Sequence, residues 1–241
     1  MQTTFVQQAS DNPSAQTNSR QDSLLVPPPA APGHVTAGAR KRRLKTGRRI
    51  RWPAETTGAN GNGQANRALI EALSSSRIYK EYERAFVELT GQPMSLQPVE
   101  TWQLPYHGRR NENPFCALIS GRSRACAACL QVRERLCQQA ASRPRTVLCH
   151  SGLCETAVPV RLSDRVVGFL QTGQVFQKKP GPRQFDQVAA QVAGWGLGVN
   201  REALKRAYFS GKVVSPSGHE SAVKLLAIFA QHLALISNQV I

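Results

Sequence analysis

Two runs rich in Val, Leu, Phe and Thr, Thr156 to Leu162 and Arg165 to Phe176, are separated only by Ser163-Asp164. A short polar break between two β-favouring runs is a hairpin signal, so these runs predict antiparallel strands. Thr146 to Cys149 predicts a strand beside them, and Val99 to Leu104 another further upstream. Helical patterning brackets this strand-rich middle instead of alternating with it. The resulting expectation is an α+β fold, a short antiparallel sheet flanked by N- and C-terminal helices, of PAS or GAF type.

From Asn66 to Thr90, apolar residues recur at helical spacing at Leu69, Ile70, Leu73, Tyr82, Phe86 and Leu89, with Asn66 as the start and Gly91 as the stop. Ala125 to Ala140 predicts a second helix, and Arg183–Trp195 and Arg201–Phe209 two more, with Pro182 in a first turn and Asn200 as a cap. A last helix follows Ser217, where Ser217 and Glu220 have capping-box spacing. Its apolar stripe runs through Ala222, Leu225, Leu226, Phe229, Leu233 and Ile236, a surface for packing on the sheet or for pairing in a homodimer through the terminal helices.

The first 65 residues show no such period. They are rich in Gln, Ser, Asn, Pro, Ala and Gly and predict a disordered polar leader, leaving residues 66–241 as one folded domain. The 31 Lys and Arg against 15 Asp and Glu give a net charge of +16, half of it from Arg40, Lys41, Arg42, Arg43, Lys45, Arg48, Arg49 and Arg51. Such a cluster attracts nucleic acid through phosphate neutralisation, without sequence specificity. No zinc-finger or other base-reading signature accompanies it, so contact with nucleic acid is expected to be non-specific if it occurs. No cleavable signal and no uninterrupted apolar run of membrane length is present, so the chain is read as cytoplasmic, with no membrane partner.

In that setting six cysteines point to thiols or metal ligands ahead of a disulfide framework. Cys116, Cys126, Cys129 and Cys149 are spaced C-x9-C-x2-C-x19-C, a candidate set for zinc or an iron–sulfur cluster. Two other readings stand beside it: redox sensing, and simple packing, since Cys126, Cys129 and Cys137 lie on one helical stripe. Glu155, Thr156, Thr172 and Gln174 flank apolar strand residues and are candidates to point into a pocket with Trp102, Phe115 and Phe169, suited to a small, partly polar organic ligand. The alternative for those four is an ordinary outward-facing strand position. Walker A and GxGxxG patterns are absent, and Gly194, Gly196 and Gly198 follow a helix instead of opening one. The chain is read as non-enzymatic.

Four pieces in order, Asn113-Pro114-Phe115-Cys116, Cys126-x2-Cys129, Cys149-x2-Gly152-Leu153-Cys154-Glu155-Thr156-Ala157-Val158-Pro159-Val160 and Gly168-Phe169-Leu170-Gln171-Thr172-Gly173-Gln174-Val175, resemble the PocR sensory domain of AraC-type transcription regulators. The resemblance runs from about Ala68 to Asn238. It implies a PAS-like domain that senses small hydrocarbon derivatives such as short diols and passes the signal to an output domain. Its cysteine pattern falls on Cys116, Cys126, Cys129 and Cys149. In the regulators this chain resembles, two helix-turn-helix motifs follow the sensory domain; here the sequence stops at Ile241, so a regulatory partner protein or a lost output domain is expected to receive the signal.

Overall fold

The computed structural model describes residues 59–109 and 111–240, with side chains over 63–109 and 111–237. The basic cluster at 40–51 and nearly all of the expected leader lie outside them. Among the described residues the chain forms α1 (Ala59–Ser75), α2 (Arg77–Thr90), β1 (Met94–Pro98), α3 (Pro114–Ser120), α4 (Ser123–Gln139), β2 (Arg145–Leu148), β3 (Cys154–Leu162), β4 (Arg165–Val175), α5 (Pro182–Gly194), α6 (Arg201–Phe209) and α7 (Pro216–Val240). The four strands make one antiparallel sheet in the order β1-β4-β3-β2. The α+β class and the flanking helices are those expected.

Side chains alternate across a strand, so the register assigns each to a face. Leu96, Leu170 and Val158 align on one face, with Met94, Thr172 and Thr156 beside them. Against it pack α1, α2 and α7, through Ile70, Phe86, Leu226, Phe229 and Leu233, all at most 3% exposed. On the opposite face Ser95, Gln171 and Ala157 align, with Gln97, Phe169 and Glu155 in the flanking rows. There α4 covers Ala157 and Phe169 with Leu136, Cys137 and Ala140. A third cluster joins α3, α5 and α6 around Tyr208, whose ring meets Phe115 and Phe176 edge-on at 5.2 and 5.1 Å.

Several local expectations shift. The helix foreseen over Asn66–Thr90 is two helices, because Ser76 adopts an extended conformation and its Oγ accepts a hydrogen bond from the Tyr79 N–H at 3.2 Å, capping α2. Asn66 therefore lies inside α1, which begins at Ala59. Gly91 ends α2 in the left-handed conformation, φ 59°, as foreseen. The strand placed at Val99–Leu104 is displaced to Met94–Pro98. Met94 and Leu96 supply the alternating core contacts there, whereas Val99 and Trp102 are exposed. Ser215, not Ser217, caps α7 by accepting from the Gly218 N–H, and Glu220 instead pairs with Lys224. Among the described residues α7 is the one helix long and apolar enough to cross a membrane, with mean hydropathy 1.3 over Pro216–Ser237. Its inner stripe is core, buried on the sheet.

Candidate functional site

The second face of the sheet is not fully covered. Where α4 leaves it, a cavity of about 50 Å³ opens, floored by Glu155, Gln171 and Gln174. Its walls come from α3 (Cys116, Ile119, Ser120), α4 (Cys129, Val132, Arg133, Leu136), the turn Cys149-His150-Ser151 and the loop after β1 (Leu104, Pro105, Tyr106, Glu112).

Each wall is fixed by local chemistry. Asn113 caps α3 through its Oδ1, which accepts from the Phe115 and Cys116 N–H groups, and Pro114 fills the first helical position, where no backbone donor is needed. The same asparagine clamps α3 to β4: its backbone N–H donates to Gln174 Oε1 at 2.8 Å and its Nδ2 to the Gln174 carbonyl at 3.0 Å. Two sequence pieces 61 residues apart thus form one joint. Gly173 lies beside the floor with φ 153°, and a Cβ there would stand 2.4 Å from the Cys154 carbonyl and 2.9 Å from Glu155 Oε2. Only glycine lets β3 and β4 approach that closely.

The turn carrying Cys149 and His150 is closed by Gly152 N–H to Cys149 C=O and Cys149 N–H to Leu153 C=O, and Tyr208 donates its hydroxyl to the Ser151 carbonyl at 2.9 Å. The loop after β1 is pinned from α4, where Arg133 donates to Gln97 Oε1, Thr101 C=O and Pro98 C=O. Arg109 ties the same loop to Glu83 and the Met94 carbonyl.

What these elements enclose is a largely apolar space with a few polar groups, several of them without partners among the described residues. The Glu155 carboxyl has no hydrogen-bond or ion-pair partner among the described residues, and burial pushes its pKa up to about 8. Both ring nitrogens of His150 and the Tyr106 hydroxyl are buried without partners. Burial holds His150 down at about 4, so its ring is neutral. Burial also raises the thiols of Cys116, Cys129 and Cys149, the last to about 12, and Glu155 adds to the rise in all three. These are protonated thiols, not nucleophilic thiolates. At the rim Ser120 Oγ lies 2.9 Å from His107 Nδ1, and Glu112 Oε1 approaches the same nitrogen at 3.7 Å. In a nucleophile–base–acid relay the two partners occupy opposite ring nitrogens, so this trio does not have that geometry.

Of the seven residues singled out for ligand contact, Glu155 and Gln174 line the cavity, whereas Phe169 is packed beneath α4. Phe115 is core beneath it, and Trp102 is 73% exposed. Thr156 and Thr172 face the other way, Thr172 donating to the Pro93 carbonyl. Of the four candidate metal ligands, Cys116, Cys129 and Cys149 line the cavity and Cys126 does not. Among the described residues no group of three or more His, Cys, Asp or Glu side chains is placed to hold a metal ion. Sequence reasoning missed Gln171, Tyr106 and Arg133; Gln171 sat within a quoted family piece, and the other two carried no signal of their own.

Behind the floor, Thr156 belongs to a buried polar chain. Its Oγ1 lies 2.8 Å from Thr146 Oγ1 and 2.9 Å from His219 Nε2, and His219 Nδ1 donates to Gln92 Oε1 at 3.0 Å. Burial lowers the His219 pKa, consistent with a neutral ring that accepts from Thr156. Glu155 and Thr156 are consecutive, so β3 carries the cavity floor on one face and a bond to the first turns of α7 on the other.

The domain is α+β with a partly open, polar-floored cavity, and comparison with protein families places it among sensory domains. The family model described as the sensory domain found in PocR matches residues 75–238, and the chain belongs to that family. No curated protein and no solved structure matches it.

Proposed function

We propose that the chain is a non-enzymatic, signal-receiving domain of the transcription-regulator type. A small organic molecule enters the cavity between the sheet and α3–α4, and its presence is relayed through β3 to α7 and from there to an output domain or partner. The observation that carries this reading is the cavity's set of groups without partners among the described residues: the buried His150 ring nitrogens and Tyr106 hydroxyl, and the half-buried Glu155 carboxyl. Buried polar atoms without partners are costly, and a ligand that hydrogen-bonds them recovers that cost. The relay is supported by the Thr156–His219–Gln92 chain on the reverse of the same strand. The exposed Ile228 and Leu235 on α7 offer a contact for a partner or a second copy.

The test is a thermal-shift panel of alcohols, diols, amines, small acids, sugars and aromatics. A ligand at 100 times its Kd stabilises by about 2.7 kcal/mol, or about 5–10 °C in Tm for a domain of this size. Cys129→Phe, which fills the cavity, should abolish the rise. No response to any compound would sink the reading. The thiol-based metal or redox alternative rests on three cysteines sharing the cavity, and counting metal and titratable thiols separates it: the ligand reading expects a metal-free chain with all six thiols titratable.

A further inference from the structure

The charges around the cavity are one-sided. Two carboxyls line it, Glu112 and Glu155, and among the described residues the only lysine or arginine that does so is Arg133. Arg133 is 8% exposed, and its guanidinium is spent on Gln97 Oε1 and the carbonyls of Thr101 and Pro98. Glu112 is likewise engaged, accepting from the Gly108 N–H and from Ser120. That leaves Glu155 on the floor with neither a donor nor a cation to meet it among the described residues.

Resting on the reading that the cavity receives a small organic molecule, the geometry points to a ligand bearing a protonated nitrogen, a short aliphatic amine or amino alcohol whose ammonium pairs with the Glu155 carboxylate. Size supports this class. A cavity near 150 Å³ holds benzene, so about 50 Å³ admits a molecule of only a few non-hydrogen atoms. The electrical environment supports it as well. Beyond burial, which is the largest cause, Glu155 raises the proton affinity of Cys116, Cys129 and Cys149, so an ionised Glu155 gives the cavity a field that favours positive charge and opposes anions. An ammonium supplies up to three donors, suited to an unpartnered carboxylate and to the lone pair of neutral His150. The thiols and Val132, Leu136 and Ile119 leave a soft, largely apolar wall for two or three methylenes.

The test uses the full chain and three near-isosteric probes, ethanolamine, ethylene glycol and glycolate, titrated by calorimetry and thermal shift at pH 8.5, where Glu155 is largely ionised and the amine still protonated, with EDTA present. The expected result is ethanolamine binding at least tenfold more tightly than ethylene glycol, with no response to glycolate. Glu155→Gln should remove the amine preference while leaving the glycol's affinity within threefold. Glycol binding as tightly as the amine, or an amine preference that survives Glu155→Gln, overturns the inference and leaves small-molecule sensing standing. A stabilisation that EDTA abolishes assigns the site to a metal cation and overturns it too. Silence of all three probes, while a larger neutral compound shifts the melting point, overturns only this inference; silence of every compound overturns both readings.

Discussion

The two faces of the sheet are built on opposite terms. Against α1, α2 and α7 the face is dry: Leu170, Val158, Leu226 and Phe229 interlock, and Thr156 and Thr172 both find hydrogen-bond partners. Against α3 and α4 it is interrupted by a cavity where a carboxyl, an imidazole and a phenol go without. One strand serves both, since residue 155 faces the cavity and residue 156 faces the packed helices. The packed face has unpartnered atoms of its own, the Tyr79 hydroxyl and Gln92 Nε2, but those on the α3–α4 side border open space, an arrangement in which binding can act on β3 without dismantling the core.

The sharpest way to break this comparison is to truncate matching positions on the two sides. Leu226→Ala, in the dry face, is expected to cost about 2–5 kcal/mol by chemical denaturation, because the neighbours collapse only partly into the hole. Cys129→Ala, bordering space that is already open, should cost no more than about 1 kcal/mol. Equal costs would mean that the two faces do not differ. Next in size, His219→Ala removes the middle of a buried chain, strands the Gln92 amide oxygen and leaves Thr156 with Thr146 alone, for an expected loss of about 2–3 kcal/mol. If the relay runs through this ring, ligand-induced stabilisation of the variant's sheet should no longer reach α7, read by hydrogen exchange along that helix.

The pH dependence sharpens the same contrast. Glu155 has a folded pKa raised to about 8 from an ordinary 4.5, so the fold holds a proton that the unfolded chain has released. Its contribution is present below 4.5 and is lost as pH rises towards 8. His150 has the opposite sign: its folded pKa is lowered to about 4 from 6.5, so stability is lost as pH falls through that window. His219 acts in the same direction as His150. Between 4.5 and 6.5 the glutamate and His150 oppose each other. From 6.5 to 8 the glutamate acts alone, and stability should fall by about 1.4 kcal/mol per pH unit. Urea titrations of Glu155→Gln should be flat across that upper window; an unchanged slope would place the titrating group elsewhere.

The hairpin was legible because Ser163-Asp164 breaks two β-rich runs, and Ser163 turns the chain at φ 51°. The stripe of α7 was legible for the same kind of reason: a period repeated over about four turns leaves little choice of buried face. The break at Ser76 was hidden because apolar spacing continues across it, and only the cap geometry reveals two helices. Which strand residues floor the cavity was hidden more deeply. Alternation separates Glu155 from Thr156 but does not say which side stays open, and the register shift between Cys154 and Glu155 adds a further step. Asn113 and Gln174 both stood inside quoted family pieces; that they touch follows from the sheet, not from their spacing.

The smallest expected effect separates two cysteines on one helix. Cys126 and Cys129 are three residues apart on α4, a spacing shared by a metal-binding pair and by neighbours on an ordinary helical face. The cavity includes Cys129 and omits Cys126. Cys126→Ser is therefore expected to change stability by no more than about 0.5 kcal/mol and to leave any ligand response intact. Cys129→Ser puts a smaller, more polar group into the wall and should change ligand affinity measurably while the fold survives. The ratio of the two affinities is the informative number, because both variants remove one thiol from the same pair. A cavity wall predicts that only position 129 matters, whereas a shared metal or disulfide chemistry predicts that the two substitutions act alike.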